Sequence, residues 1–301
     1  MSKISNEEII NRYLEHYSHS KISQSTRKYA LEYFFRSKYF NFNGHAFSIV
    51  KSDIIDYFDY LNHLNNISLQ TKQNKWAIFN SFLKFMVLYY DDNSIVIPQN
   101  FLKWSPIHKK PFSNKNVILS VEELKQILAY NFNHHYQYYI IFRFFTETGM
   151  RVGEFLSINY DNIDLKKRIV ETRGKTGIKI YYFSIGLVKH LKIFLKERAL
   201  REVNSNALFL SSQGKRMSAK VINRQLRECV QRLHIQKWIT CHTFRRTLNT
   251  LRKKMGCPRE ERKVLLCQEI SDVNLQSYVI YNYDDFIQMF DKWNPYISIF
   301  E

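Results

Sequence analysis

Residues 168–184 read RIVETRGKTGIKIYYFS, and the change of period within them decides the architecture. Apolar and polar positions alternate on either side of Gly174-Lys175-Thr176-Gly177. That pattern predicts two strands joined by a tight turn, with a lysine at its tip. Outward from this hairpin the spacing is helical in both directions. Upstream, Ser120-Val121-Glu122-Glu123 opens a helix with a capping-box pattern, and helices follow at 133–147 and 150–158. Downstream, helical segments are expected at 187–200, 218–233, 242–255, 258–267, 273–281 and 284–291.

Further upstream, four helical patterns fill residues 5–90. They are 6–17, a segment following Ser25, a segment N-capped by Ser52, and about 68–90. In the last of these, Trp76, Phe79, Phe82, Leu83, Phe85 and Met86 recur at core spacing. Residues 91–118 break the pattern with prolines at 98, 106 and 111, as expected of an interdomain linker. The domain reading is a helical unit over 1–95, a linker over 96–118 and a second unit over 119–301. The fold class is mainly α with a small β-sheet, and only 8 glycines and 5 prolines in 301 residues agree with it.

The net charge is +18, and residues 215–263 hold 15 basic and 3 acidic side chains. Such a concentrated excess points to a polyanion, with a solvated helical face as the simpler alternative. No apolar run approaches the ~20 residues that span a bilayer, and the polar start MSKISNEEII has no signal-peptide core, so a cytoplasmic, DNA-associated location is expected. Cys229, Cys241, Cys257 and Cys267 form no CxxC pair, so free thiols and no metal site are expected.

Two further stretches carry candidate chemistry. In Thr148-Gly149-Met150-Arg151-Val152-Gly153-Glu154-Phe155, Arg151 stands at a helix start and Glu154 lies one turn on, placed to hold a basic group. In His242-Thr243-Phe244-Arg245-Arg246, His242 and Arg245 are three apart and share a face near a helix N-terminus, where phosphate is favoured. Each motif is weak alone. Together, two forked guanidinium groups can clamp a phosphodiester and stabilise its transition state without a metal.

The order and spacing of these residues resemble the tyrosine recombinase, or phage-integrase, family. That family combines an Arg in T-G-x-R-x-x-E, a Lys on a β-hairpin, H-x-x-R, a further His or Trp, and a C-terminal Tyr. The matching positions here are Arg151, Lys175, His242, Arg245, Gln268 and Tyr278, with Glu154 supporting. Arg151 to Lys175 is 24 residues and Arg245 to Gln268 is 23, as in the family. The resemblance covers nearly the whole chain, and residues 1–90 look like the family's core-binding domain.

It implies a helical core-binding domain followed by a mixed α/β catalytic domain, and a site-specific recombinase or integrase of mobile-element type. Tyr278 would attack the DNA and form a 3′-phosphotyrosyl link, with His242 as general base, Lys175 as general acid and the two arginines on the phosphate. It implies no cofactor, no metal and no ATP. Double-stranded DNA is the implied partner, met by a monomer that assembles as a homotetramer on two sites. The HTFRR variant and the WNPY ending are similar to archaeal and viral integrases.

Three departures matter. Leu-Gly-His of the family is Leu266-Cys267-Gln268 here, and Gln cannot carry a proton at pH 7. HTFRR adds a positive charge at Arg246. Gln268 to Tyr278 is 10 residues, one more than in many members, which keeps Tyr281 open as the alternative nucleophile. Two other functions stay open: a DNA-binding protein of little catalytic power, and a type IB topoisomerase-like relaxing enzyme. The apolar tail DDFIQMFDKWNPYISIF either packs on its own core or docks on a neighbouring protomer.

Overall fold

Aromatic side chains spaced three and four apart along residues 69–90 give that segment an apolar side that other helices must cover. The computed structural model describes residues 4–17, 21–35, 42, 44–90, 117–174, 177–201, 203–268 and 282–297. In it the segment forms α4 (Leu69–Tyr90), and α1 (Asn6–Tyr17), α2 (Lys21–Phe35) and α3 (Lys51–His63) provide the cover. Trp76, Phe79, Phe82, Leu83, Phe85 and Met86 are all buried, as their spacing predicts. Phe34 of α2, Tyr57 of α3 and Phe79 of α4 form a triangle with ring centroids 4.4 to 5.0 Å apart. Each such pair adds about 0.5–1.5 kcal/mol beyond its burial.

Two helix starts differ from the sequence expectation. The N-cap of α3 is Val50 rather than Ser52, because the Asp53 carboxylate reaches back to accept from the Val50 N–H at 2.8 Å. Helix α2 begins at Lys21 rather than after Ser25, since no glycine or proline in that stretch stops it extending towards the N-terminus.

The chain divides into two compact units, Met1–Pro111 and Phe112–Glu301. The second is built around one buried helix. After α5 (Val121–His134), α6 (Tyr136–Thr148) is buried along almost its whole length from Tyr139 onwards. The Ser120–Glu123 capping box predicted for α5 is present, with both bonds made at 2.7 and 3.1 Å. Helix α6 ends at Gly149, whose φ of 60° only glycine adopts without cost. There follow the short α7 (Val152–Leu156), then β1 (Ile163–Asp164), β2 (Ile169–Gly174) and β3 (Gly177–Tyr182). The strands form an antiparallel sheet in the order β1-β2-β3, with Thr172 opposite Lys179 and Gly174 opposite Gly177. The hairpin is where the sequence places it, and the two-residue β1 is an addition to the two strands expected.

Helices α8 (Ile185–Ala199), α9 (Ala219–Arg232) and α10 (Cys241–Lys254) share the core of α6, and α11 (Arg259–Leu265) packs against α10. Phe244 of α10 stacks on Phe142 of α6 at 5.8 Å. On its opposite side, α6 carries the buried Arg143–Glu147 ion pair, and Glu147 also accepts from the Ser184 N–H at 2.8 Å. This fixes the junction between β3 and α8.

The tail forms α12 (Tyr283–Lys292), and its described part docks on its own unit. Arg168 grips Asp291 through two bonds of 3.1 and 2.6 Å, Tyr182 stacks on Phe286, and Arg252 donates to the Trp293 carbonyl. All four cysteines are free thiols. No helix among the described residues is long and apolar enough to cross a membrane.

Truncating Phe79 to alanine removes one corner of the aromatic triangle. It is expected to lower the unfolding free energy of the first unit by about 3–5 kcal/mol, measured by urea unfolding followed on Trp76.

Candidate active site

Gly149 brings three distant segments together. A Cβ at this position would lie 2.8 Å from Leu266, 3.1 Å from Leu248 and 3.7 Å from the Arg245 backbone. The chain leaving α6 therefore presses against both α10 and the turn after α11. Arg245 fastens the contact. Its side chain, on the inward side of α10, donates through Nη1 to the Gly149 carbonyl at 2.8 Å and through Nη2 to the Leu266 carbonyl at 3.0 Å. The residue is 4% exposed, and burial pushes its pKa down while Tyr181 raises it and Arg151 lowers it.

Arg151 enters the same corner two residues after Gly149, as the N-cap of α7. Its side chain is about half exposed, at 48%, so its guanidinium remains open to a ligand. His242 stands exposed on the first turn of α10. Partial burial, followed by the positive charges of Arg246, Arg245 and Arg151, holds its imidazole below the usual histidine pKa. At neutral pH it is accordingly neutral and able to accept a proton.

Glu154 is the organiser of this corner. Its Oε2 accepts from the Arg151 backbone N–H at 2.9 Å and from the Tyr181 hydroxyl at 2.7 Å. Its Oε1 accepts from Arg151 Nη1 at 3.0 Å and from Lys179 Nζ at 2.7 Å. Burial alone would raise the carboxyl; bonds from Lys179, Tyr181 and the Arg151 backbone outweigh it and hold it at about 2. Tyr181 moves the other way, driven up by burial and by its carboxylate partner.

Cys267 occupies a left-handed backbone position with a φ of 47°, where the family motif has glycine. Its thiol, pushed up to about 11 chiefly by burial, bonds the Ile180 carbonyl at 3.2 Å and ties the turn to β3. Gln268 is half-buried beyond that turn, with its N–H donating to the Lys263 carbonyl at 2.9 Å.

The structure thus brings together Arg151, Glu154, His242 and Arg245, with Gln268 on the adjoining turn. Lys175, Tyr278 and Tyr281 lie outside the described residues. Tyr283 begins α12 and donates to the Lys167 carbonyl at 2.6 Å. Lys179 and Tyr181 escaped the sequence reading. Their available signal was the alternation of β3, which puts both on the face opposite Ile178 and Ile180. Among the described residues, no cluster of His, Cys, Asp and Glu could hold a metal ion.

The model of the phage integrase family matches residues 118–261. Tyrosine recombinase XerD of Staphylococcus haemolyticus is 27% identical over 187 residues, covering 59% of this chain and 62% of the relative. Tyrosine recombinase XerC of Chlamydia trachomatis serovar L2 is 27% identical over 249 residues, covering 79% and 74%. The first three curated relatives are matched over only 35%, 62% and 51% of their own length. The fold is similar to the Tn1549 transposon integrase in complex with circular intermediate DNA, with a TM-score of 0.68 at 15% identity over 95% of this chain and 98% of that one. It is similar also to the XerH site-specific recombinase bound to palindromic difH substrate, with a TM-score of 0.68 at 17% identity over 88% and 78%.

Gly149→Ala would force a Cβ against Leu266 in a backbone region that alanine avoids. It is expected to cost about 2–4 kcal/mol, read as a lowered midpoint of thermal unfolding.

Proposed function

Because this chain belongs to the tyrosine recombinase (phage integrase) family, we propose that it cleaves and rejoins DNA site-specifically through a 3′-phosphotyrosyl intermediate. The observation that carries this is the corner where Arg245, bonded to the Gly149 and Leu266 carbonyls, stands beside Arg151 and His242. Two guanidinium groups there suit the non-bridging oxygens of one phosphate. His242, held neutral, suits removal of the phenol proton from the nucleophile.

Tyr278 is the proposed nucleophile, with Tyr281 as the alternative. Its oxygen bonds to phosphorus as the bond to the 5′-oxygen breaks, and Lys175 gives that leaving oxygen its proton. Rejoining reverses the step. The phosphodiester bond energy is kept in the covalent link, so the exchange needs no ATP. Gln268 supports by hydrogen bonding, since an amide does not carry a proton. Glu154 orders the site.

Residues 1–95 are proposed as a core-binding domain and 119–301 as the catalytic domain, joined by a linker over 96–118, so that both units meet the duplex. The proposed assembly is a homotetramer on two DNA sites, formed from monomers and acting in the cytoplasm. Phosphate contacts release counterions, so binding should weaken steeply with salt.

A nicked suicide substrate carrying the target site is expected to trap a covalent adduct that is lost in Tyr278→Phe. Persistence of the adduct in that variant, with loss in Tyr281→Phe, would move the nucleophile. Specific binding without any adduct would assign the protein to DNA binding alone.

A further inference from the structure

Strand β3 is built the wrong way round for its position. Ile178 is 67% exposed and Ile180 41%, while Lys179 between them turns inward with a side chain only 12% exposed. Burying a lysine and exposing two isoleucines opposes the hydrophobic pattern, and such local violations concentrate at functional sites. The partner of the buried ammonium gives the reason. Lys179 Nζ lies 2.7 Å from Glu154 Oε1, the same oxygen that accepts from Arg151 Nη1 at 3.0 Å. One carboxylate oxygen therefore serves two cations, one from the sheet and one from the start of α7. The lysine stem also runs under the hairpin base, where a Cβ on Gly174 would meet its Cε at 2.8 Å.

We propose that Lys179 is a positioning residue for strand cleavage: by sharing Glu154 from β3, it keeps Arg151 oriented while leaving the arginine's charge available to the scissile phosphate. A lone Arg151–Glu154 pair would cancel its own charge, and an arriving phosphate would have to compete with the carboxylate. With Lys179 present, the three groups carry a net positive charge, and Arg151 can bond the phosphate without leaving Glu154. The inference rests on the recombinase reading, because it assigns the phosphate to Arg151.

The groups facing Glu154 are Arg151 from α7, Lys179 and Tyr181 from β3, Arg245 from α10 and Cys267 from the turn after α11. Lys179 supplies the largest of the effects that keep the carboxyl ionised against burial. Without it the carboxyl rises, and Glu154 takes up a proton as the pH falls.

The test is single-turnover cleavage of a suicide substrate by wild type, Lys179→Met and Lys179→Arg between about pH 5.5 and 8. Taking each variant as a ratio to wild type removes the titration of His242 and of the nucleophile. K179M is expected to cleave about 10- to 100-fold more slowly at pH 8, with the ratio recovering as the pH drops and protonation of Glu154 removes the charge that competes with the phosphate. K179R is expected to restore most of the rate and a flat ratio. A K179M rate equal to wild type at pH 8, or a deficit that does not change with pH, overturns the proposal.

If wild type forms no adduct, the recombinase reading fails, and the Lys179–Glu154 coupling is read from thermal unfolding of the same proteins. In wild type the depressed Glu154 pKa stabilises the fold above the unfolded carboxyl pKa, and this is lost only as the pH falls towards about 2. In K179M the buried carboxylate is a cost that protonation relieves. The melting deficit of K179M should therefore shrink as the pH falls; a pH-independent deficit overturns the coupling.

Discussion

The site depends on one buried guanidinium. Arg245 donates to the carbonyls of Gly149 and Leu266, which belong to segments 96 and 21 residues away in sequence. Both carbonyls belong to helix C-caps, where no further turn supplies an N–H, so without Arg245 both would face a buried corner, and a buried polar group lacking a partner costs about 1–3 kcal/mol. The same bonds hold Arg245 in place and set the exit of α6, from which Arg151 emerges. Structure and proposed chemistry thus share one set of contacts. The packing explains why Gly149 has no side chain: the space for a Cβ is filled by Leu266 and Leu248.

Around that anchor, Glu154 works as a hub rather than a reactant. Four donors converge on its two oxygens, from both the backbone and side chain of Arg151 and from two residues of β3. A carboxylate so fully bonded stays ionised, and it joins the sheet to the start of α7. The strands of the hairpin thus have a role of their own, since their inward face sets the electrostatics beneath Arg151.

Much of this was legible in the sequence, for identifiable reasons. The Ser120 capping box could be recognised because both its members are side chains three residues apart. The core of α4 could be recognised because six apolar residues share a helical spacing. Arg151 and Arg245 stood out as forked cations near helix starts, Glu154 as a carboxylate one turn from Arg151, and His242 as sharing a helix face with Arg245. The rest depended on partners that leave no mark in a sequence. Backbone carbonyls accept from Arg245, so nothing in residue type predicts its burial. Lys179 carries no sign of its burial, because its strand neighbours Ile178 and Ile180 are the exposed ones. Strand β1 is two residues long, too short for any period. The apolar tail was evident, but only the Arg168–Asp291 and Arg252–Trp293 bonds give its described part a destination on its own unit.

The central claim is that Arg151 and Arg245 converge on a single DNA phosphate. A crystal structure of the protein on its target duplex, with the nucleophilic tyrosine replaced by phenylalanine, tests this most directly. The account predicts one phosphate with its non-bridging oxygens within hydrogen-bond distance, about 2.7–2.9 Å, of both guanidinium groups. Finding the two arginines on different phosphates, or Arg245 bonded only to carbonyls with no phosphate beside it, would contradict it.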